Sequence, residues 1–360
     1  MEASTDAPYL FVRALRQVDH TVFCVQDGQK TYYDQQFERS VAYSSGQQVK
    51  RSILDAASER LEEPRAPITF NKVLETDKDG NETLTDGEPW SPCDPRFADQ
   101  LLGGWMRARK GGGDTIRRRS PLSISAMRPL HPLLANTHHE IASFDRSDQP
   151  EQHPVRVVNS DDEELSDEQI SEFLESNDRM MPRRKWIPED QVGPRAHGLY
   201  VFDVAIDLRR LFSVSVNKHE PELARDMIED LEEAGWVRSE SGERLICPPE
   251  RREEIITALA QALVQWRVTS NQSRTFSPQP TLAMVISDDA NRVTGAIRAD
   301  LEQEGSELDA VPVVTTIDGA DTFASLTCKG YVPGVSASAD ALDEATKTIE
   351  ENLQMYDYAA

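Results

Sequence analysis

The chain has 360 residues, 38% of them hydrophobic, enough core-forming material for roughly one large domain or two to three smaller ones, which excludes a wholly disordered tail. Its formal net charge of −24 excludes a surface coated all round in nucleic acid, because phosphate binding needs local positive potential. The four cysteines, Cys24, Cys93, Cys247 and Cys328, form no CxxC or Cys/His cluster, so neither a zinc site nor a disulfide framework is expected, only reduced structural thiols.

The first residues, MEASTDAPYLFVRALRQV, lack a basic leader followed by an apolar core, and no later segment approaches the length of a membrane span. A cytoplasmic protein without a membrane partner is predicted. Residues 9–18 read as a strand, and a DG turn follows between the β-prone runs of TVFCVQDGQKTYYD. In YSSGQQVKRSILDAASERLEE a polar, turn-prone stretch leads into an amphipathic helix over 47–63. Its entrance has two readings. Hydroxyls, amides and cations beside unpaired backbone N–H groups make a phosphate surface, or Ser44 or Ser45 simply caps a helix whose Lys50 and Arg51 are solvated.

Residues 65–95 are rich in Pro, Gly and Asp and predict loops with short hairpins. RFADQLLGGWMRARK reads as a helix ended by Gly111–Gly113, and TIRRRSPLSISAMRPLHPL as a strand interrupted at Pro121 and Pro129. Alternation along that strand turns Arg118 away from Arg117 and Arg119. A polar insertion occupies 138–196, with a short amphipathic helix around Ile170–Leu174. HGLYVFDVAIDLRRLF then resumes a buried-strand pattern.

Two amphipathic helices, ELARDMIEDLEEAGWV and EEIITALAQALVQWRV, make the 220–266 region helical and flank a hairpin-like VRSESGERLICPP. The first is too acidic for a winged-helix DNA reader. PTLAMVISDD, AVPVVTTIDG and ASLTCKGYV read as strands, and SADALDEATKTIEENLQMY as a closing helix. Strands separated by helices around a polar insertion predict an α+β fold.

Charge is segregated. Acids concentrate in NSDDEELSDEQISEFLESND (159–178), and bases in WMRARKGGGDTIRRRS (105–120) and RMMPRRKW (179–186). Such a distribution suits one polyanion-binding face beside a strongly solvated one.

The order of motifs resembles the repeated backbone subunit of Cascade, the type I CRISPR surveillance complex, in the DevR-like branch of the RAMP superfamily. A first strand precedes a basic web loop around Arg39. SSGQQVKRS then opens the first helix, and the DQLLGGWM helix and the RSPLSISAMRPLHPL strand follow. A long insertion returns through GLYVFDVAIDLRRL, and TSNQSRTFSPQPTLAMVIS closes the set. The resemblance spans roughly residues 9–290. It implies an RNA-recognition-motif-like, ferredoxin-like palm over 1–137 and 197–360, with inserted finger elements and a thumb over 138–196.

It also implies function. Copies assemble head to tail along a guide (CRISPR) RNA and present it for pairing with a target DNA strand, together with other Cascade-type subunits. Arg39, Ser45, Gln47, Lys50 and Arg51 fall at the family's guide-backbone positions, where such groups hold phosphates without reading bases. Asn271, Gln272, Arg274 and Phe276 supply donors, a cation and a stacking face, and Arg117 and Arg119 extend the groove. Met180 and Met181 would wedge between bases while Arg183, Arg184 and Lys185 face phosphates.

The resemblance implies a scaffold without catalysis, no metal is expected, and no nucleotide cofactor is expected because no GxxxxGKS loop is present. The rival from another class is a target-RNA endonuclease of the kind found in type III complexes, with His138 and His139 near Glu140 and Asp145. A third reading is an acidic regulatory protein without RNA.

Overall fold

The computed structural model describes residues 7–23, 29–78, 80–87, 89–109, 113–138, 142–145, 154–187, 194–268, 277–304 and 306–358. The chain divides into two compact units, Met1–Thr137 with Ala196–Ala360, and His138–Arg195. The architecture is α+β. No helix among the described residues is long and apolar enough to cross a membrane.

The larger unit is organised by one antiparallel sheet. Its strands, in chain order, are β1 (Tyr9–Thr21), β2 (Leu122–Ile124), β3 (Arg128–Pro129), β4 (Ala135–His138), β5 (Arg195–Asp207), β6 (Thr281–Ser287) and β7 (Asp321–Ala324). They lie side by side as β4-β5-β1-β6-β7, with β2 and β3 also paired to β5. The proline-interrupted sequence of 115–133 thus yields two short strands on one long neighbour.

β1 is antiparallel to β5, with Leu15 opposite Val201, and antiparallel to β6, with Phe11 opposite Ser287. Consequently β5 and β6 are parallel to each other across β1, the strand arrangement of a split βαβ unit. The helices of the chain are α1 (Gly46–Arg60), α2 (Ala98–Gly103), α3 (Asp167–Ser176), α4 (Leu208–Leu211), α5 (Arg225–Glu233), α6 (Pro249–Gln265), α7 (Ala290–Ala296) and α8 (Ala341–Met355). α6 is the longest helix in the connection between β5 and β6.

Period-two alternation decides which side each strand residue serves. Leu10, Val12, Ala14 and Val18 of β1 join α1, α2, α6 and α8 in the main core, while Leu15 packs with Leu199, Val201 and Val285 in a smaller cluster under α7. Arg16 lies within the main core, 2% exposed. Its Nη2 donates to the Trp266 carbonyl at 2.6 Å, its Nε to Thr281 Oγ1 at 3.3 Å, and its guanidinium sits 4.1 Å from the Trp266 ring centroid. Burial pushes this guanidinium down to about 9. The contact fastens the end of α6 to the sheet, where a cation also complements the helix dipole.

Three sequence expectations change here. The helix opening with RFADQLLGG stops at Gly103, because Gly104 turns at φ +73° and a Cβ there would lie 2.5 Å from the Arg118 carbonyl oxygen. WMRAR instead pairs as a strand with 113–118. ASLTCKGYV is a short 3-10 helix over Leu326–Gly330 after β7, with Cys328 buried, and not a strand. Arg39 lies on a strand, Arg39–Ala42, hairpinned with Thr31–Asp34. An unanticipated hairpin, Ile297–Glu304 with Glu307–Val314, follows α7.

In the smaller unit, strands Ala142–Asp145 and Arg184–Ile187 pair antiparallel. α3 begins with a capping box, the Ser166 side chain accepting from Gln169 N and the Gln169 side chain from Ser166 N, but none of its residues is buried.

Candidate nucleic-acid interface

The entrance to α1 is held from all sides. Ser44 is fully buried and exchanges backbone hydrogen bonds with Met127, at 2.9 and 3.0 Å. A Cβ on Gly46 would lie 2.7 Å from the Ile124 carbonyl oxygen, so the first turn abuts β2. Ser45 is the N-cap, its Oγ accepting from Gln48 N at 3.4 Å. Gln48 accepts from Ser44 Oγ and donates to the Phe23 carbonyl.

The cations nearby also have partners. Lys50 Nζ donates to the Gly103 carbonyl at 2.9 Å, at the C-terminal end of α2, where the helix dipole favours a positive charge. Burial, reinforced by Arg118, pushes the Lys50 ammonium down to about 8. Arg51 pairs with Asp55 one turn along at 3.0 Å, and Arg39 Nη1 donates to the Pro132 carbonyl at 3.3 Å. Gln47 is exposed. The entrance therefore spends most of its polar groups on the fold, as the capped-helix reading has it for Ser45.

A cleft of about 1030 Å³ collects cations from three separate elements. Arg117 comes from the strand Gly113–Arg118 and Arg119 from just past its end, Arg210 from α4, and Arg244 from the strand Arg244–Ile246. Arg117 and Arg119 are exposed, and neither is paired among the described residues. Arg118 points the other way and is 3% exposed. It donates to the carbonyls of Leu101, Arg210 (2.6 Å) and Ser213 (3.3 Å), and burial pushes its guanidinium down to about 10.

Glu222 braces the cleft. It is 7% exposed, accepts from Ser215 N at 2.8 Å and Arg210 Nη1 at 3.3 Å, and lies 4.0 Å from Arg118 Nε. Arg244 donates from Nε to Ser213 Oγ at 2.8 Å, and burial lowers its pKa. Among the described residues, no Phe, Tyr or Trp lines the cleft. Its chemistry is charge recognition, with no platform for stacking a base.

The structure brings Arg117 and Arg119 together as the alternation of strand residues requires. Arg210 and Arg244 were missed by sequence reasoning. They are separated along the chain, and neither lies in a basic run longer than two residues, so no local signal joins them to the 117–119 cluster.

In the smaller unit Met180 is 91% exposed and Met181 partly covered. Arg183, Arg184 and Lys185 are exposed; Arg184 pairs with Asp145 at 3.0 Å, and Lys185 stands opposite Phe144, itself 60% exposed. His138 is exposed, and His139 and Glu140 lie outside the described residues. Asn271, Gln272, Arg274 and Phe276 also lie outside them.

No family model and no curated protein matches the chain. Among solved structures it is similar to a chain of a "CRISPR RNA-guided surveillance complex, pre-nicking", with a TM-score of 0.43 and 11% identity, over 96% of this chain and 88% of that one. It is also similar to a chain of a "CRISPR RNA-guided surveillance complex", with a TM-score of 0.37 and 10% identity, over 96% and 84%. Both TM-scores lie below 0.5, so the functional reading rests on the chain's own residues.

Proposed function

We propose that the chain is a non-catalytic subunit that binds a guide RNA by its phosphates, copies lining up head to tail and presenting the guide for pairing with a target DNA strand in CRISPR-based antiviral defence. The observation that carries this reading is the pair of exposed guanidiniums, Arg117 and Arg119, unpaired among the described residues, in a cleft that also gathers Arg210 and Arg244 and in which no described residue offers an aromatic ring. Such a surface suits a ligand whose sequence must not matter, since phosphate contacts position a strand without reading it. Base pairing then supplies specificity.

The ordered motifs between residues 9 and 290 support the finer reading: an RNA-recognition-motif-like palm in a Cascade-type backbone subunit of the DevR-like branch, with other Cascade-type subunits as partners. In that arrangement Met180 and Met181 act as wedges between bases, beside Arg183 and Lys185, and Asn271, Gln272, Arg274 and Phe276 contact the strand.

Purification of the full chain tests the reading first. A high ratio of nucleic-acid to protein absorbance, removed by ribonuclease, is expected; a nucleic-acid-free monomer would favour the acidic regulatory alternative. The cleft is tested by Arg117→Ala/Arg119→Ala. With about 0.7 of salt slope per single-strand phosphate contact, the double variant should bind unrelated guides equally weakly and with a slope lower by roughly 1.4. An unchanged slope in a folded variant removes the cleft from the interface.

A further inference from the structure

The hairpin of Ile297–Glu304 and Glu307–Val314 has no part in the reading above. Its base is anchored by fully buried Ile297, and further out Ala310 is still 4% exposed while Leu301, directly opposite it, and Leu308 are 50% and 44% exposed. Directly opposite residues share a face, so its register sets Glu302 against Asp309, and strand alternation puts Glu307 on the same side as Asp309. Like charges so placed destabilise a strand pair, and a two-stranded hairpin is marginal by itself.

Asp300 takes up Arg298, at 2.9 and 3.0 Å, and no cation is paired with Glu302, Glu307 or Asp309 among the described residues. The tip therefore presents an acidic face that no described cation neutralises.

The cleft presents the opposite pattern. Arg117 and Arg119 are two residues apart on an extended segment, roughly 7 Å, which is also the spacing of Glu307 and Asp309 along their strand. We propose that, when no nucleic acid is bound, the acidic face of the 297–314 hairpin of one copy docks on the Arg117/Arg119 wall of the cleft of a second copy, so that strand and hairpin compete for the same guanidiniums. The contact is heterologous and so can propagate from copy to copy. Its occupant is fixed by charge complementarity, and it rests on the reading of the cleft as a polyanion site.

The test uses full-length protein stripped of nucleic acid, followed by sedimentation velocity. At about 50 mM salt the wild type should associate, and at about 0.5 M, where the screening length falls to a few ångströms, it should not. Glu302→Lys/Glu307→Lys/Asp309→Lys and Arg117→Glu/Arg119→Glu should each sediment as monomers at low salt, and mixing the two should restore association. The lysine variant is less negative than the wild type's −24, so general repulsion alone would make it associate more, and the proposal has it associate less. Glu302→Gln/Glu307→Gln/Asp309→Asn, which relieves the facing carboxylates, gives the same readout should the lysine variant misfold.

Oligouridylate should dissociate the wild-type assembly. A wild type monomeric at low salt, a hairpin variant that associates like wild type, or failure of the mixture to associate overturns the proposal. The function reading fails separately, if the folded Arg117→Ala/Arg119→Ala variant binds oligouridylate with the wild-type salt slope while the hairpin variants bind normally.

Discussion

The entrance to α1 and the 117–119 wall of the cleft each bring two cations together, Lys50 with Arg51 and Arg117 with Arg119, yet they use them in different ways. At the entrance, Ser45 caps the helix, Lys50 closes the end of α2 and Arg51 holds Asp55. On the wall, strand alternation buries only Arg118 and leaves its two neighbours for a ligand. Residue type nominates a phosphate site; the hydrogen-bond account decides which nominee is still free to bind one.

The largest effect that sharpens this contrast lies within the wall itself. Arg118→Ala removes a buried guanidinium that serves three carbonyls and faces Glu222. Stranding a buried partner in this way costs about 3–5 kcal/mol. Arg117→Ala and Arg119→Ala, on the exposed side of the same segment, should each stay within about 0.5 kcal/mol of wild type. Urea denaturation of the three single variants is the measurement, and three equal losses would mean that the alternation has no energetic content.

Much of this was legible in the sequence, for physical reasons that differ by segment. YLFVRALRQV and PTLAMVISDD are apolar runs bounded by polar punctuation, and both are central strands. The opening of α1 was legible as a serine-capped start, and the opposite facing of Arg118 followed from strand period alone. The 297–314 hairpin was not legible in full. IRADLEQE reads as a solvated acidic stretch, and it is β only because β-prone AVPVV pairs back onto it. ASLTCKGYV has β-prone composition, but tertiary context coils it into a 3-10 turn around buried Cys328. The cleft's second pair of arginines could not be read at all, because Arg210 and Arg244 meet only through the packing of α4 against the strands Ser213–Ser215 and Arg244–Ile246.

Lys50 gives the next effect. Its charged hydrogen bond to the Gly103 carbonyl is offset near neutral pH by the burial that disfavours the ammonium, so Lys50→Met should change stability little there and cost more as pH rises. The pH dependence has a definite sign. The folded ammonium is held down to about 8 by burial, against an ordinary value of 10.5 in the unfolded chain. Between these values the unfolded chain binds more of this proton, so wild-type stability gains a contribution that rises with pH, and Lys50→Met lacks it. Denaturation curves of both proteins from about pH 7 to 10.5 read the difference. A gap between them that is independent of pH would mean that the ammonium is solvated and available to phosphate.

The smallest effect divides the two roles of Ser45 most cleanly. As an N-cap it accepts from Gln48 N, and Ser45→Ala should cost about 1 kcal/mol, at the lower end of the range because the bond is long at 3.4 Å. Aspartate is as good a cap as serine and also favours the positive end of the helix dipole, so Ser45→Asp should retain or slightly raise stability. The same carboxylate would repel a phosphate placed at the α1 entrance. If the entrance serves only the fold, Ser45→Asp leaves guide affinity and salt slope where Arg117 and Arg119 set them. If the entrance also holds the guide, Ser45→Asp weakens binding while Ser45→Ala hardly does, and the contrast between the two regions becomes a division of one strand's phosphates between them.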